Sequence, residues 1–145
     1  MTTATAENVY FTATGEQSGL PVVYRSMHAV PTGVSESDYP NLINIYWGFD
    51  VNENNGMPNE TANNRQIEFE DAISSLDKKE ISFLMLVATG SGRKEWVWYV
   101  KDVDSWMSQL NSLLAGHEVY PIEIEISQDP DWSTYHNFLA GVNGT

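Results

Sequence analysis

The stretch "ISFLMLVATGSGRKEWVWYV", residues 81–100, decides the fold. Its two flanks, "ISFLMLVA" (81–88) and "EWVWYV" (95–100), are runs of apolar, β-branched and aromatic residues separated by "TGSGRK". Runs of that length and composition, bounded by glycine, read as strands. Ser91 and Gly92 can supply the left-handed backbone angles of a tight hairpin turn, so an antiparallel pair is expected. The same glycines raise the question of a phosphate loop. A dinucleotide fingerprint needs a third glycine and a helix whose N-terminal amides meet the pyrophosphate, whereas Gly90 and Gly92 lead into a strand. The Walker pattern fails as well, because Lys94 lacks the preceding glycine spacing and is followed by Glu95 instead of Ser or Thr.

Downstream, "DVDSWMSQLNSLLAG" (102–116) sets Val103, Trp106, Met107, Leu110, Leu113 and Leu114 on one helical stripe. Asp102 can cap its start and Gly116 its end. "EVYPIEIEIS" (118–127) then alternates, with Tyr120, Ile122, Ile124 and Ile126 facing one way and Glu123 and Glu125 the other. Upstream, "LINIYWGF" (42–49) is apolar at nearly every position, as a central strand covered on both faces would be. Between it and the hairpin, residues 60–77 place Ala62, Gln66, Phe69, Ile73 and Leu76 at helical spacing, with Asn59 as N-cap.

From residue 41 the order is therefore strand, helix, strand, strand, helix, strand. This is the split βαββαβ pattern of a ferredoxin-like α+β sandwich, spanning 41–127, with both helices on one face of an antiparallel sheet. In that topology 81–88 is an edge strand, yet it is too apolar for an exposed edge. An N-terminal β-hairpin over 7–30, with strands at 8–13 and 21–30, or a second copy of the chain, is expected to cover it. A short C-terminal helix, 131–139, starts near Asp131 and carries Trp132, Tyr135, Phe138 and Leu139 on an apolar face that folds back on the domain.

The 145 residues, 41% hydrophobic and 12% aromatic, suit a single globular domain over 1–145. With 20 acidic and 7 basic residues the net charge is -13, which repels a nucleic-acid backbone. Direct nucleic-acid binding is not expected, and a basic protein partner is. The absence of Cys removes disulfides, thiolate metal sites and cysteine nucleophiles, and fits a reducing cytoplasm. The N-terminus "MTTATAENVYFTATGEQ" shows no basic segment followed by an apolar one, and no run is long enough to cross a bilayer. A cytoplasmic protein without membrane attachment is expected. "ENVYFTATG" is similar to a protease-tag remnant, but Thr12 stands where such a site needs Gln, so it reads as native sequence.

Motifs that carry chemistry are scarce. "DVNENNG" (50–56) places Asp50, Asn52 and Asn54 like the start of a calcium loop, but the sixth and twelfth positions hold Asn55 and Thr61 where Gly and Glu are required. It reads as an Asn-rich loop. Glu123 and Glu125, joined by Asp129 and Asp131, could form paired carboxylates, since period two sets the glutamates about 6.5–7 Å apart on one face. The same alternation is how any half-exposed strand reads. His28, His117 and His136 lack metal-ligand spacing, and no nucleophile elbow is present. Neither a metal nor a cofactor is expected. Trp96 and Trp98 share one face of their strand, Val97 and Tyr99 the other. One reading is that two layers need two cores. The other is a ligand-binding surface or pocket formed by Trp47, Trp96, Trp98 and Arg93, with Lys94 at its rim.

The segments "YPNLINIYWGFD", "NNGMPNETANNRQIEFEDAI", "LMLVATGSGRKEWVWYVKD" and "YPIEIEISQDPDWSTYHNFL", within residues 39–139, resemble an uncharacterised bacterial family, domain of unknown function 695. The resemblance implies no settled activity. Some members of that family resemble, or are joined to, a domain similar to regulator of ribonuclease activity B, a small acidic ferredoxin-like inhibitor of an RNA-degrading enzyme. The resemblance thus implies a protein-binding regulator, by analogy of fold. The leading expectation is a non-catalytic binding or regulatory domain acting through protein-protein contacts. The alternatives are a small-molecule-binding enzyme or sensor with an aromatic pocket, and a self-associating module whose homodimer is sealed along 81–88.

Overall fold

The computed structural model describes residues 10–143. Residues 7–9 of the expected N-terminal hairpin lie outside the described residues. Six strands, β1 (Tyr10–Gln17), β2 (Leu20–Met27), β3 (Asn41–Gly48), β4 (Ser82–Gly90), β5 (Arg93–Val100) and β6 (Ile122–Gln128), form one antiparallel sheet in the order β1-β2-β4-β5-β3-β6. Three helices, α1 (Glu60–Ala72), α2 (Val103–Leu114) and α3 (Ser133–Asn143), complete an α+β architecture. Among the described residues no helix is long and apolar enough to cross a membrane.

The β4–β5 hairpin forms as its sequence predicts. Gly90 pairs with Arg93, and Ser91 (φ 53°) and Gly92 (φ 84°) make a two-residue left-handed turn. Between Leu84 and Leu86 the register slips by one residue. This bulge turns both Met85 and Leu86 into one core cluster, while Leu84 and Val87 join the other.

The N-terminal hairpin extends the sheet along the apolar edge of β4, with pairs running from Val22↔Gly90 to Ser26↔Leu86. The edge is therefore occupied within the chain, and a homodimer sealed along 81–88 has no strand to pair with. Contact across this seam is close. A Cβ on Gly90 would lie 2.3 Å from the Pro21 carbonyl oxygen, and the backbone there takes φ 147°, so only glycine fits. The hairpin's own turn is Ser18 (φ 55°) and Gly19 (φ 79°); β1 runs on to Gln17, past the expected end at 13, whereas β2 stops at Met27, short of the expected 30. Polar Thr14, Glu16 and Gln17 read as loop, yet they pair as an edge strand that faces water.

Each face of the sheet has its own core. Phe69 and Ile73 at the end of α1, and Trp106 and Leu110 of α2, bury Ile43, Ile45, Trp47, Leu84, Trp96 and Trp98. On the opposite face Trp132 and Tyr135 of the α3 segment, with Tyr39, bury Leu42, Phe83, Met85, Val97 and Tyr99. The run "LINIYWGF" is apolar at almost every position because it serves both cores.

The helix ends depart from expectation in three places. Helix α1 stops at Ala72 and continues as a single 3-10 turn, Ser74–Leu76, which seats Leu76 in the core. Gly116 is not left-handed; the chain turns at Ala115, with the His117 N–H donating to the Leu114 carbonyl at 3.0 Å. Helix α3 starts at Ser133, because Trp132 adopts φ 54° and breaks the helical path that would begin at Asp131. The N-caps at Asn59 and Asp102 form as read, accepting from Ala62 N–H (2.8 Å) and Ser105 N–H (3.2 Å).

Candidate functional site

The structure brings Trp47, Trp96 and Trp98 together but places Arg93 elsewhere. The three tryptophans are 3%, 0% and 1% exposed, beneath α1 and α2. Trp47 and Trp96 lie 6.5 Å apart, and Phe69 meets them edge-on at 6.1 and 5.1 Å, so the space between the rings is filled. The Arg65 guanidinium closes this group from above, 5.6 Å from the Trp47 ring and 5.4 Å from Tyr120. Arg93 stands an odd number of residues from both Trp96 and Trp98, so strand alternation sends it to the opposite face. There it lies 4.6 Å over the Tyr46 ring and 3.8 Å from Glu95. Lys94 is the basic residue that shares the tryptophan face, 5.5 Å over the Trp96 ring. Burial lowers its pKa, and Glu70 pulls it back.

Open space does occur one step further along the sheet, where Trp98 approaches the N-terminal hairpin. A cavity of about 240 Å³ is walled by Tyr10 of β1, Arg25 of β2, Glu70 and Asp71 of α1, Ser74 and Asp77 around the 3-10 turn, Leu84 of β4 and Trp98 of β5. Its polar groups form two hydrogen-bonded sets, with the Arg25 guanidinium 5.7 Å over the Tyr10 ring between them. Arg25 donates to Glu70 at 2.7 Å, and the other Glu70 oxygen accepts from the Trp96 indole N–H at 2.9 Å. The Tyr10 hydroxyl donates to the Leu84 carbonyl at 3.0 Å and reaches Asp77 at 3.4 Å. Asp77 in turn accepts from the Leu84 N–H at 3.2 Å. Burial raises the Asp77 carboxyl above its usual range, and burial together with Asp77 raises the Tyr10 hydroxyl. Two donors in this wall, Arg25 Nε and Trp98 Nε1, are buried without an acceptor.

Of the candidate site residues named from sequence, Trp98 lines this cavity and Trp96 bonds Glu70 in its wall. Tyr10 and Asp77 are 67 positions apart, and Arg25 and Glu70 are 45 apart, so no local motif joins them. The one local signal is Arg25 itself, a lone cation in the apolar strand "LPVVYRSM".

A second polar region lies on the opposite face, at the β6 side of the sheet. Register sets Glu123 beside Tyr46 and Glu125 beside Asn44, and across β3 Tyr46 also pairs with Glu95. Asn44 donates to Glu95 at 2.7 Å. Tyr46 is half-buried and its hydroxyl pKa is raised, first by desolvation and then by Glu95 and Glu125, with Arg93 opposing. Glu123 and Glu125 are both exposed. Asp129 does not join them; it is committed to the start of α3. Among the described residues no group of three or more His, Cys, Asp or Glu is placed to hold a metal ion.

An antiparallel α+β domain with a small polar cavity under one face and an acidic corner on the other is the class of protein these elements define. Residues 12–140 match the family of unknown function DUF695, and the chain belongs to that family. No curated protein and no solved structure matches the chain.

Proposed function

We propose that the protein is a non-catalytic binding domain whose acidic sheet corner receives a basic protein partner in the cytoplasm. The observation that carries this reading is the convergence of Glu95, Glu123 and Glu125 around Tyr46 on a part of the sheet where both β6 glutamates are exposed. With a net charge of -13 over the chain, that corner adds a local focus to a field that already attracts cations. Arg93 already lies 4.6 Å over the Tyr46 ring and 3.8 Å from Glu95, so the exposed Glu123 and Glu125 carry the corner's open charge. We also read the β3-α1-β4-β5-α2-β6 unit as ferredoxin-like. The strand order β6-β3-β5-β4 and the shared core of α1 and α2 support that reading.

The test is capture from native lysate on the immobilised protein, with the double variant Glu123→Lys/Glu125→Lys in parallel. A basic protein should be retained by the native chain and released as salt rises toward 1 M, where the screening length falls to about 3 Å. The double variant should lose it. A retained protein indifferent to both salt and charge reversal, or a chain that recovers only further copies of itself, would count against the proposal.

A further inference from the structure

We propose that the cavity between the N-terminal hairpin and α1 is a binding site for a small zwitterion of amino-acid size, a molecule bearing both a carboxylate and an ammonium. The proposal stands on a different face from the acidic corner and does not depend on it.

Three observations define the ligand. The first is the pair of empty donors. Trp98 is 1% exposed and its indole N–H has no acceptor, and the Arg25 Nε–H in the same wall has none either. A buried N–H without a partner carries an uncompensated desolvation cost, and an oxygen acceptor entering the cavity removes it. The hollows beside Lys101 (about 500 Å³) and His117 (about 360 Å³) are larger, but no such atom lies in their walls.

The second observation is charge. The Arg25 guanidinium is already matched by Glu70 at 2.7 Å, and Asp71 and Asp77 add two more carboxyl groups to the wall. A simple anion would satisfy the donors but face surplus negative charge. A simple amine would satisfy the acids but leave the donors empty. A zwitterion answers both, with its carboxylate toward Trp98 and Arg25 and its ammonium toward Asp77 and Asp71. Burial raises the Asp77 pKa, and an ammonium placed beside it would favour the ionised form.

The third is size. About 240 Å³ falls below the roughly 300–1,000 Å³ range of sites for drug-sized ligands, which excludes a nucleotide and suits a molecule of amino-acid dimensions.

The experiment follows the five tryptophan indole N–H signals of the full chain by proton–nitrogen correlation NMR, with the Trp98 signal assigned by its disappearance in Trp98→Phe. Free amino acids of increasing side-chain size are titrated, with propionate and propylamine as the single-charge probes. At least one amino acid should shift the Trp98 signal saturably, while the Trp106 indole, already bonded to Ser82 at 2.9 Å, stays in place. Arg25→Met and Asp77→Asn should each weaken that binding by about tenfold or more. Trp98→Phe keeps an aromatic ring and removes the donor, so its loss of affinity, read by titration calorimetry alongside its urea midpoint, separates binding from folding. A shift produced equally by propionate alone, or by propylamine alone, would overturn the zwitterion. No Trp98 shift with any amino acid up to about 10 mM would overturn the site, leaving a cavity that holds water only.

Discussion

Gln66 occupies the apolar stripe of α1, is 0% exposed, and has neither its amide nitrogen nor its amide oxygen hydrogen-bonded. Its placement in the stripe was legible from spacing, but its lack of a partner was not, since a partner would come from another element. Replacing it by an unbranched apolar side chain of similar length removes the desolvation cost without opening a hole. Gln66→Met is therefore expected to stabilise the fold by about 1 kcal/mol, read as a higher urea midpoint at unchanged slope. Gly90 makes the opposite case. The neighbouring Ser91 and Gly92 could be assigned to a turn from local sequence, whereas the demand at Gly90 arises across the sheet, from Pro21 and Val22. Gly90→Ala must both move that backbone and hold a strained φ, so a loss of about 3 kcal/mol or more is expected in the same measurement.

Helix α3 shows how an element's start is set by residues that sequence spacing does not single out. Asp131 lies next to the apolar stripe and near the expected start, but Trp132 is left-handed and the Asp129 side chain caps the helix instead. One Asp129 oxygen accepts from the Ser133 N–H (3.0 Å) and hydroxyl (2.7 Å), the other from the Thr134 N–H (3.0 Å) and the Tyr99 hydroxyl (2.7 Å). Burial would raise this carboxyl, but the bonds from Ser133, Thr134 and Tyr99 outweigh it and hold the pKa at about 2, below the ordinary 3.8. A carboxyl whose pKa falls on folding stabilises the native state in full above its unfolded pKa. That contribution fades as pH drops through about 4 toward 2. Asp129→Asn keeps the shape but removes the charge, so it should cost about 1–3 kcal/mol at pH 7. The gap between variant and native chain should narrow as pH falls through that window, which urea titrations at pH 7 and near pH 2 would measure. A gap that stays constant with pH would assign the loss to packing against Tyr99 and not to the ionised cap.

At the scale of the molecule, the alternation of strands and helices and the need to cover β4 were legible, because periodicity and edge chemistry are properties of contiguous residues. That a second core must exist was legible from the bulk on both faces of β3 and β5 and from the apolar stripe of 131–139, but its contacts and the cavity were not, because both are assembled from elements far apart in sequence. Trp132 and Tyr99 stack at 4.4 Å across the sheet face, and Tyr10, Arg25, Glu70 and Trp98 meet only once the hairpin has docked. The hairpin thus closes the β4 edge and supplies Tyr10 and Arg25 to the cavity wall. Its removal exposes the backbone of "SFLMLVATG", a run with no charged residue to discourage pairing with another chain. A chain lacking residues 1–27 is expected to associate edge to edge through β4 and to aggregate at micromolar concentration, whereas the full chain does not use that edge. Light scattering on the two chains decides the matter. A truncated chain that stayed monomeric would mean that the bulge at Met85 and the overlying α3 protect the edge unaided.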